Sequence, residues 1–387
     1  MGVSAHPTLR WRDLGLPRPE WAALSNGRAR FHYTYNARAA LYQLLLSMPR
    51  SARDAILLPA FHCTTVVEPA LRAGWKVRFY HIRPDLSIDL EHLSLQLSNE
   101  IAAILVIHFL GFPAPLENVR RMSQEAGCYL IEDWAHSFLR GPHPNIPGDQ
   151  GDFALFSFYK HAPSFAGGGL RVNAQIPWSL PSQESAGMRQ TALIIKRLFE
   201  QAIENSPEGQ LKGAFQKFEE WRVNKRRQTT STQMPSGTTL ELTYELSERL
   251  VRAGIPWLSR QILQASRWTT LFEAKRRNYE YLAQNLEENP WLRKVHPTLP
   301  SDVCPWAFPV WMPARADQDV QLRARGVPLF TFGDILHPVS EQCPPVARKD
   351  AVAISRHLLL LSVHQNLEIA DMERTTRIIN DFYRGRS

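Results

Sequence analysis

Cysteine is scarce in this 387-residue sequence, and none of its four cysteines (Cys63, Cys128, Cys304 and Cys343) falls in a C-x-x-C spacing. That speaks against the common zinc patterns and against a disulfide framework, and reduced thiols in a cytoplasm fit best. Long apolar runs are missing too. The longest, IAAILVIHFLGF, is too short to cross a bilayer, and the N-terminus MGVSAHPTLRWRDLG has no apolar signal core. A soluble, cytoplasmic protein is expected. Internal repeats and low-complexity tracts are absent. The charge excess is modest at +8 and spread out, densest in VNKRRQ at 223–228. That run reads as a solvated helix end or as a contact for an anion, and gives no ground for a nucleic-acid partner. With 44% hydrophobic and 21% charged residues, the chain is too apolar for disorder and long enough for two domains.

What is present begins near Ala55 and runs to Val172. ILLPAF, KVRFYHI, AAILVIHFLG, CYLIEDW and FALFSFY are short runs rich in Val, Ile, Leu and aromatics. TTVVEPALRAG, LEHLSLQLS and LENVRRMSQEAG lie between the first four, each with helical spacing of its apolar positions. Gly74 and Gly127 stand where helix C-caps belong. Near-continuous apolar strands alternating with helices predict a mainly parallel sheet covered on both faces, with ligands beyond the carboxyl ends of its strands. The stretch 183–230 reads as polar and largely helical, and STQMPSGTT at 231–239 as a loop. One long amphipathic helix is expected from about Ser259 to Asn289, stopped by Pro290. FPVWMP, a helix around DQDVQLRARG, VPLFTF, LLLLSVH and a last helix follow, the last with Ile369, Met372, Ile379 and Phe382 on one face. These elements predict a large α/β domain over 1–255 and a smaller α+β domain over 256–387.

Three segments fall where such a sheet places its ligands. In IEDWAHSF, Glu132 and Asp133 close a buried strand, which fits a turn cap as well as a site. In LFSFYKHAPSFAGGGLRV, Lys160 ends an apolar strand just before a triple glycine. A solvated loop lysine is the ordinary alternative to a lysine held in a pocket for covalent chemistry. In YNARAALYQLL, Asn36 is placed to cap a helix whose first amides face outward for an anion. A lysine amine, a carboxylate and a helix N-terminus are what a pyridoxal phosphate enzyme needs: a Schiff-base former, a partner for the pyridine nitrogen and a phosphate holder.

Several segments in order resemble a known family. LLPAFHCTTVVEPALRAGWKVRFY, IHFLGFPAPLENVRRMSQEAGCYLIEDWAHSF, GDQGDFALFSFYKHAPSFAGGGLRV and LLLLSVHQNLEIADMERTTRII are similar to segments of the DegT/DnrJ/StrS-type sugar aminotransferases. The resemblance implies the fold type I architecture of pyridoxal phosphate enzymes: a mainly parallel, seven-stranded-type sheet between helices, with a smaller C-terminal α+β domain. It implies that Lys160 carries the cofactor and that Asp133 pairs with the pyridine nitrogen. His136 would contact the phenolic oxygen, and Ser157, Ala37 and Arg38 the phosphate. An aromatic that stacks on the ring aligns near Cys63, which leaves His62 or Phe61 for that job. It further implies an amino-acid donor (glutamate or glutamine), a keto-sugar acceptor, free or nucleotide-linked, and a homodimer with the site at the subunit interface.

The sequence departs from the family at the ring-stacking aromatic near Cys63 and in two further ways. Lys160 stands three residues after Ser157, where family members usually have five, a register that falls on Ala162. His161 adjoins it, and a dehydratase branch of the same family carries histidine in place of the lysine. The family's asparagine–arginine segment is not recognisable around 231–245. The alternatives to an aminotransferase are therefore a sugar dehydratase or a non-catalytic sensor or assembly protein. His108 reads as a packed structural histidine or a site residue, and His364 as an active-site wall or a turn stabiliser.

Overall fold

The computed structural model describes residues 4–10, 14–15, 30–49, 53–137, 139–141, 147–176, 178–204 and 248–384. The basic run at 223–228, the loop at 231–239 and the segment sought at 231–245 lie outside them.

The first sheet has seven strands in the order β1 (Arg30–Thr34), β7 (Gly168–Val172), β6 (Phe153–Ser157), β5 (Tyr129–Trp134), β4 (Ile101–Ile107), β2 (Ala55–Pro59) and β3 (Lys76–Tyr80). Pairings from β3 through β6 are parallel, whereas β6–β7 and β7–β1 are antiparallel. Every residue of β2, β4 and β6 is buried, as a sheet with both faces covered requires. Ile101, Ile104, Leu105 and Val106 are each 0% exposed, and full burial of such side chains stabilises by about 1.5–3 kcal/mol apiece. The connecting helices are α1 (Ala37–Ser47), α2 (Thr64–Arg72), α3 (Leu90–Gln96) and α4 (Leu116–Ala126). Gly127 caps α4 at φ 62° and Gly74 follows α2 at φ 80°, a left-handed conformation that favours glycine.

The second sheet is antiparallel, in the order β10 (Leu329–Phe330), β11 (Leu358–Ser362), β9 (Ala307–Trp311) and β8 (Arg293–Lys294). Its own core gathers Phe308, Val310, Leu359, Leu361, Met372 and Ile379. Three further helices belong to this half: α8 (Arg315–Ala324), α9 (Pro345–His357) and α10 (Ile369–Arg384). Met372, Ile379 and Phe382 are buried on α10, as the apolar spacing predicts, while Ile369 is half-buried.

One local expectation needs correction, and another lies mostly outside the described residues. The polar stretch after residue 183 contains a helix, α5 (Gly187–Glu204), but most of it lies outside the described residues. The single long helix from Ser259 to Asn289 is instead two, α6 (Trp257–Ala265) and α7 (Trp268–Asn285). Ser266 Oγ donates back to the Ile262 carbonyl at 2.8 Å, and Gly15 N donates to the Ala265 carbonyl at 2.6 Å. Both compete with the helical ladder at that point and bend it. Strands β1 and β7 complete the sheet, although neither has the near-continuous apolar run that marks β2, β4 and β6.

Candidate active site

A cavity opens at the carboxyl ends of β4, β5 and β6, beside the N-termini of α1 and α2. It is lined by most of the residues the sequence singles out: Ala37, Arg38, Cys63, Asp133, His136, Ser157 and Lys160. Each is delivered by a different local rule.

Helix α1 starts at this cavity because Asn36, extended at φ −159°, turns its side chain to accept from Ala39 N at 2.8 Å. Ala37 and Arg38 occupy the first turn, where no carbonyl four residues back exists for their amides. The triple glycine explains why β7 can run so close. A Cβ at Gly168 would sit 2.2 Å from Asn36 C and 2.4 Å from Ala37 N, so a side chain there would push the helix start away. At Gly167, φ is +127°, a conformation that L residues rarely adopt.

Asp133 and Glu132 are neighbours on β5 and therefore point to opposite faces. Glu132 joins a structural network. It accepts from Trp134 Nε1 at 2.8 Å and from Gln150 N at 3.0 Å, and lies 3.4 Å from His108 Nε2. His108, itself 0% exposed, stacks on Trp134 at 3.5 Å and accepts from Ala114 N, so it is a packing histidine. Asp133 faces the cavity, 6% exposed, and accepts from Ala135 N at 2.8 Å. Burial pushes its carboxyl above the usual range, against the pull of that amide and of Lys160.

Ser157 ends β6, and the Tyr159 side chain hydrogen-bonds to it. Tyr159 is 40% exposed overall, yet its hydroxyl lies deep enough that desolvation raises its pKa. Lys160 is half-buried, with Nζ 4.6 Å from the centre of the Trp306 ring and 5.9 Å from that of Phe332. Loss of water around the amine pushes its pKa down, and Asp133 and then Cys63 pull it back up. His136 stacks on Trp306 at 4.3 Å and accepts from Leu110 N through Nδ1. Burial, then the charge of Lys160, holds it well below the ordinary histidine value, so the ring is neutral.

Two expectations fail on geometry. His62 does not line the cavity. Its ring is 0% exposed, stacks on Phe79, and ties Nδ1 to the Pro59 carbonyl while Nε2 accepts from His337 N. Phe61 is equally buried, against Phe109 and Phe332. The turn into α2 sends both into the core and leaves Cys63, its N-cap, facing the cavity. His161 also turns away: its Nδ1 lies 3.0 Å from the buried Lys275 Nζ, and its Nε2 is 3.4 Å from the Ala135 carbonyl. Ala162, the position five residues after Ser157, is 1% exposed in an apolar cluster with Phe158 and Leu263. His364 stabilises a turn, accepting from Asn366 N, with Nε2 against the Ser4 carbonyl.

Sequence reasoning missed Thr65, Tyr159 and Phe332, which line the cavity, and Trp306, which touches Lys160. Tyr159 lies within the motif that carries Ser157 and Lys160, so adjacency was its signal. For Trp306 and Phe332 there was none, because they come from loops of the second sheet more than 140 residues away.

Residues 30–173 match the profile of the DegT/DnrJ/EryC1/StrS aminotransferase family. GDP-perosamine synthase of Vibrio cholerae is 24% identical over 140 residues, 36% of this chain and 38% of the synthase. GDP-4-keto-6-deoxy-D-mannose 3-dehydratase of Yersinia pseudotuberculosis is 29% identical over 119 residues, 30% of each chain. The matched stretch thus spans well under half the length of either relative. Among solved structures, Helicobacter pylori PseC, an aminotransferase involved in the biosynthesis of pseudoaminic acid, superposes with a TM-score of 0.68 at 14% identity, over 99% of both chains. The chain therefore has the fold of sugar aminotransferases such as PseC, and residues 30–173 resemble the DegT/DnrJ/EryC1/StrS aminotransferase family in sequence.

Proposed function

We propose that this chain is a pyridoxal phosphate-dependent aminotransferase that moves an amino group from an amino acid, glutamate or glutamine, to a nucleotide-linked keto sugar in glycan or secondary-metabolite biosynthesis. One observation carries the reading: the amine of Lys160 and the buried carboxylate of Asp133 face one cavity whose rim is the N-terminus of α1.

The residues present fit that cofactor. Asp133 is a carboxylate in low dielectric whose charge is costly unless a cation meets it, and a protonated pyridine nitrogen is such a cation. Asn36, Ala37, Arg38 and Ser157 gather first-turn amides, a guanidinium and a hydroxyl at one end, which suits a phosphate, and Gly168 leaves the room for that cradle. Ala135 and Cys63 are small side chains lining the space between, where a flat ring would lie, and neutral His136 stands at its edge. When bound, pyridoxal phosphate supplies the electron sink that stabilises a carbanion at the amino-bearing carbon.

The chain's own residues would do the rest. Lys160 would hold the cofactor through Nζ and, whenever its amine is free, would take and return a proton at the amino-bearing substrate carbon as general base and acid. Its lowered pKa keeps a share of the amine neutral and able to take a proton. Asp133 would keep its charge to pair with a pyridine nitrogen. Release of the donor as a keto acid before the carbonyl acceptor binds would make the kinetics ping-pong. We further place the domain boundary near residue 255, the active protein in the cytoplasm as a homodimer, and its site at the subunit interface.

The dehydratase reading has one supporting fact, the match to the Yersinia 3-dehydratase. The position of His161 counts against it, since its ring is engaged with Lys275 outside the cavity and the cavity-facing side chain is a lysine. Borohydride reduction of the purified, yellow protein tests the main reading: cofactor is expected to be trapped on Lys160, and trapping retained in Lys160→Ala would overturn it. Protein that stays colourless after incubation with pyridoxal phosphate would instead favour a non-catalytic role.

A further inference from the structure

Trp306 has no place in the chemistry described so far, yet it makes the shortest ring contact of the central lysine. Lys160 Nζ lies 4.6 Å from the Trp306 ring centre and 5.9 Å from that of Phe332, both within cation–π range. The indole is held in place. Its backbone N–H donates to the Leu110 carbonyl at 2.9 Å, and its ring packs on Phe330 at 5.1 Å and Phe332 at 5.8 Å. It also stacks on His136 at 4.3 Å, but that imidazole is kept neutral by burial and does not compete as a cation. Tryptophan is the strongest of the aromatic cation binders.

We propose that Trp306, assisted by Phe332, is a positioning residue that forms a berth for the Lys160 ammonium whenever that amine is not bonded to the cofactor. The proposal rests on Lys160 being the covalent lysine. A lysine displaced in each half-reaction is a charge on a flexible four-carbon stem. Left unheld, it would lose its position relative to the substrate carbon or drift toward the Asp133 carboxylate. A ring face holds it without a second carboxylate, so the amine stays close and can still lose its proton. The berth comes from the second sheet's loops while Lys160 comes from the first sheet, so the lysine also reports that the two sheets are packed together.

The test is done on the full chain without added cofactor and reads protonation rather than turnover. Amine-reactive labelling as a function of pH, followed by peptide mass spectrometry, gives the half-labelling pH of Lys160, with exposed Lys76 as internal reference. A ring that stabilises the ammonium raises the pH at which Lys160 becomes reactive. Trp306→Leu is therefore expected to lower that midpoint by about half a unit to one and a half units, and Phe332→Leu by less. Trp306→Phe should restore much of the loss. If Trp306 merely excludes water, its removal hydrates the ammonium and the midpoint rises. A rise, or no movement, overturns the proposal. Should Trp306→Leu fail to fold, Trp306→Phe and Phe332→Leu decide, and unmoved midpoints in both overturn it. Failure of the underlying reading would appear separately, as borohydride trapping that survives Lys160→Ala.

Discussion

Gly168 offers the sharpest structural test of the cavity. Its backbone does not need positive φ, so a methyl there would cause no torsional strain; the whole effect of Gly168→Ala comes from space. The added carbon would lie 2.2 Å from Asn36 C, 2.4 Å from Ala37 N and 2.6 Å from Asn36 O, where carbon contacts normally settle near 3.5–4.0 Å. All three neighbours are backbone, and none can swing aside as a flexible side chain would. Strand β7 and the start of α1 must separate by on the order of 1 Å. Overpacking of this kind costs about 1–3 kcal/mol, with the upper end expected against rigid backbone. The movement also carries Ala37 and Arg38 away from Ser157, so pyridoxal phosphate should bind at least about tenfold more weakly, a loss of roughly 1.4 kcal/mol. Gly326→Ala is the control. Gly326 has φ +85° with nothing within 4 Å of its Cβ direction, so its cost is torsional, about 1–2 kcal/mol, and far from the cavity. Thermal melts should show both variants destabilised, and cofactor titration followed by absorbance should show only Gly168→Ala weakened. Wild-type melting and affinity in Gly168→Ala would refute the argument.

Acid should act through two buried histidines. Burial is the leading cause that lowers His62 and His364 from 6.5 to about 4. The unfolded chain then binds protons that the folded chain refuses, so stability is full above pH 6.5 and falls as pH drops toward 4. Each contributes about 3 kcal/mol to that fall, and His62→Asn should flatten the pH dependence of the urea midpoint in this window. For Asp133 the sign is reversed. Burial raises its folded pKa, so its charge costs stability once pH exceeds the unfolded value. Cofactor-free Asp133→Asn should unfold at higher urea than cofactor-free wild type at pH 7 and at the same urea near pH 3, whereas with cofactor added it should be inactive. A less stable variant at pH 7 would show that the carboxylate is already compensated without the cofactor.

Much of the site was readable because its parts are local. Strand-period apolar runs defined β2 to β6, and a cap residue ahead of a helical pattern placed Asn36 at an anion-binding turn. A lysine, a carboxylate and a serine at strand ends could only collect at one edge of a parallel sheet. That Ala162, the position in the usual register, is packed in the core is known only from the structure. His62 was misread because a turn decides which of two adjacent side chains faces inward, and both Phe61 and His62 are consistent with either direction.

Chain order and apolar period thus fixed the sheet, its helices and the end at which chemistry gathers, since those depend on neighbours a few residues apart. Tertiary packing alone decided that a glycine-rich segment becomes β7, that α6 and α7 part at Ser266, and that Trp306 and Phe332 close over Lys160. Those outcomes are set by contacts between residues far apart in the chain, whose distances and side-chain directions no local pattern encodes.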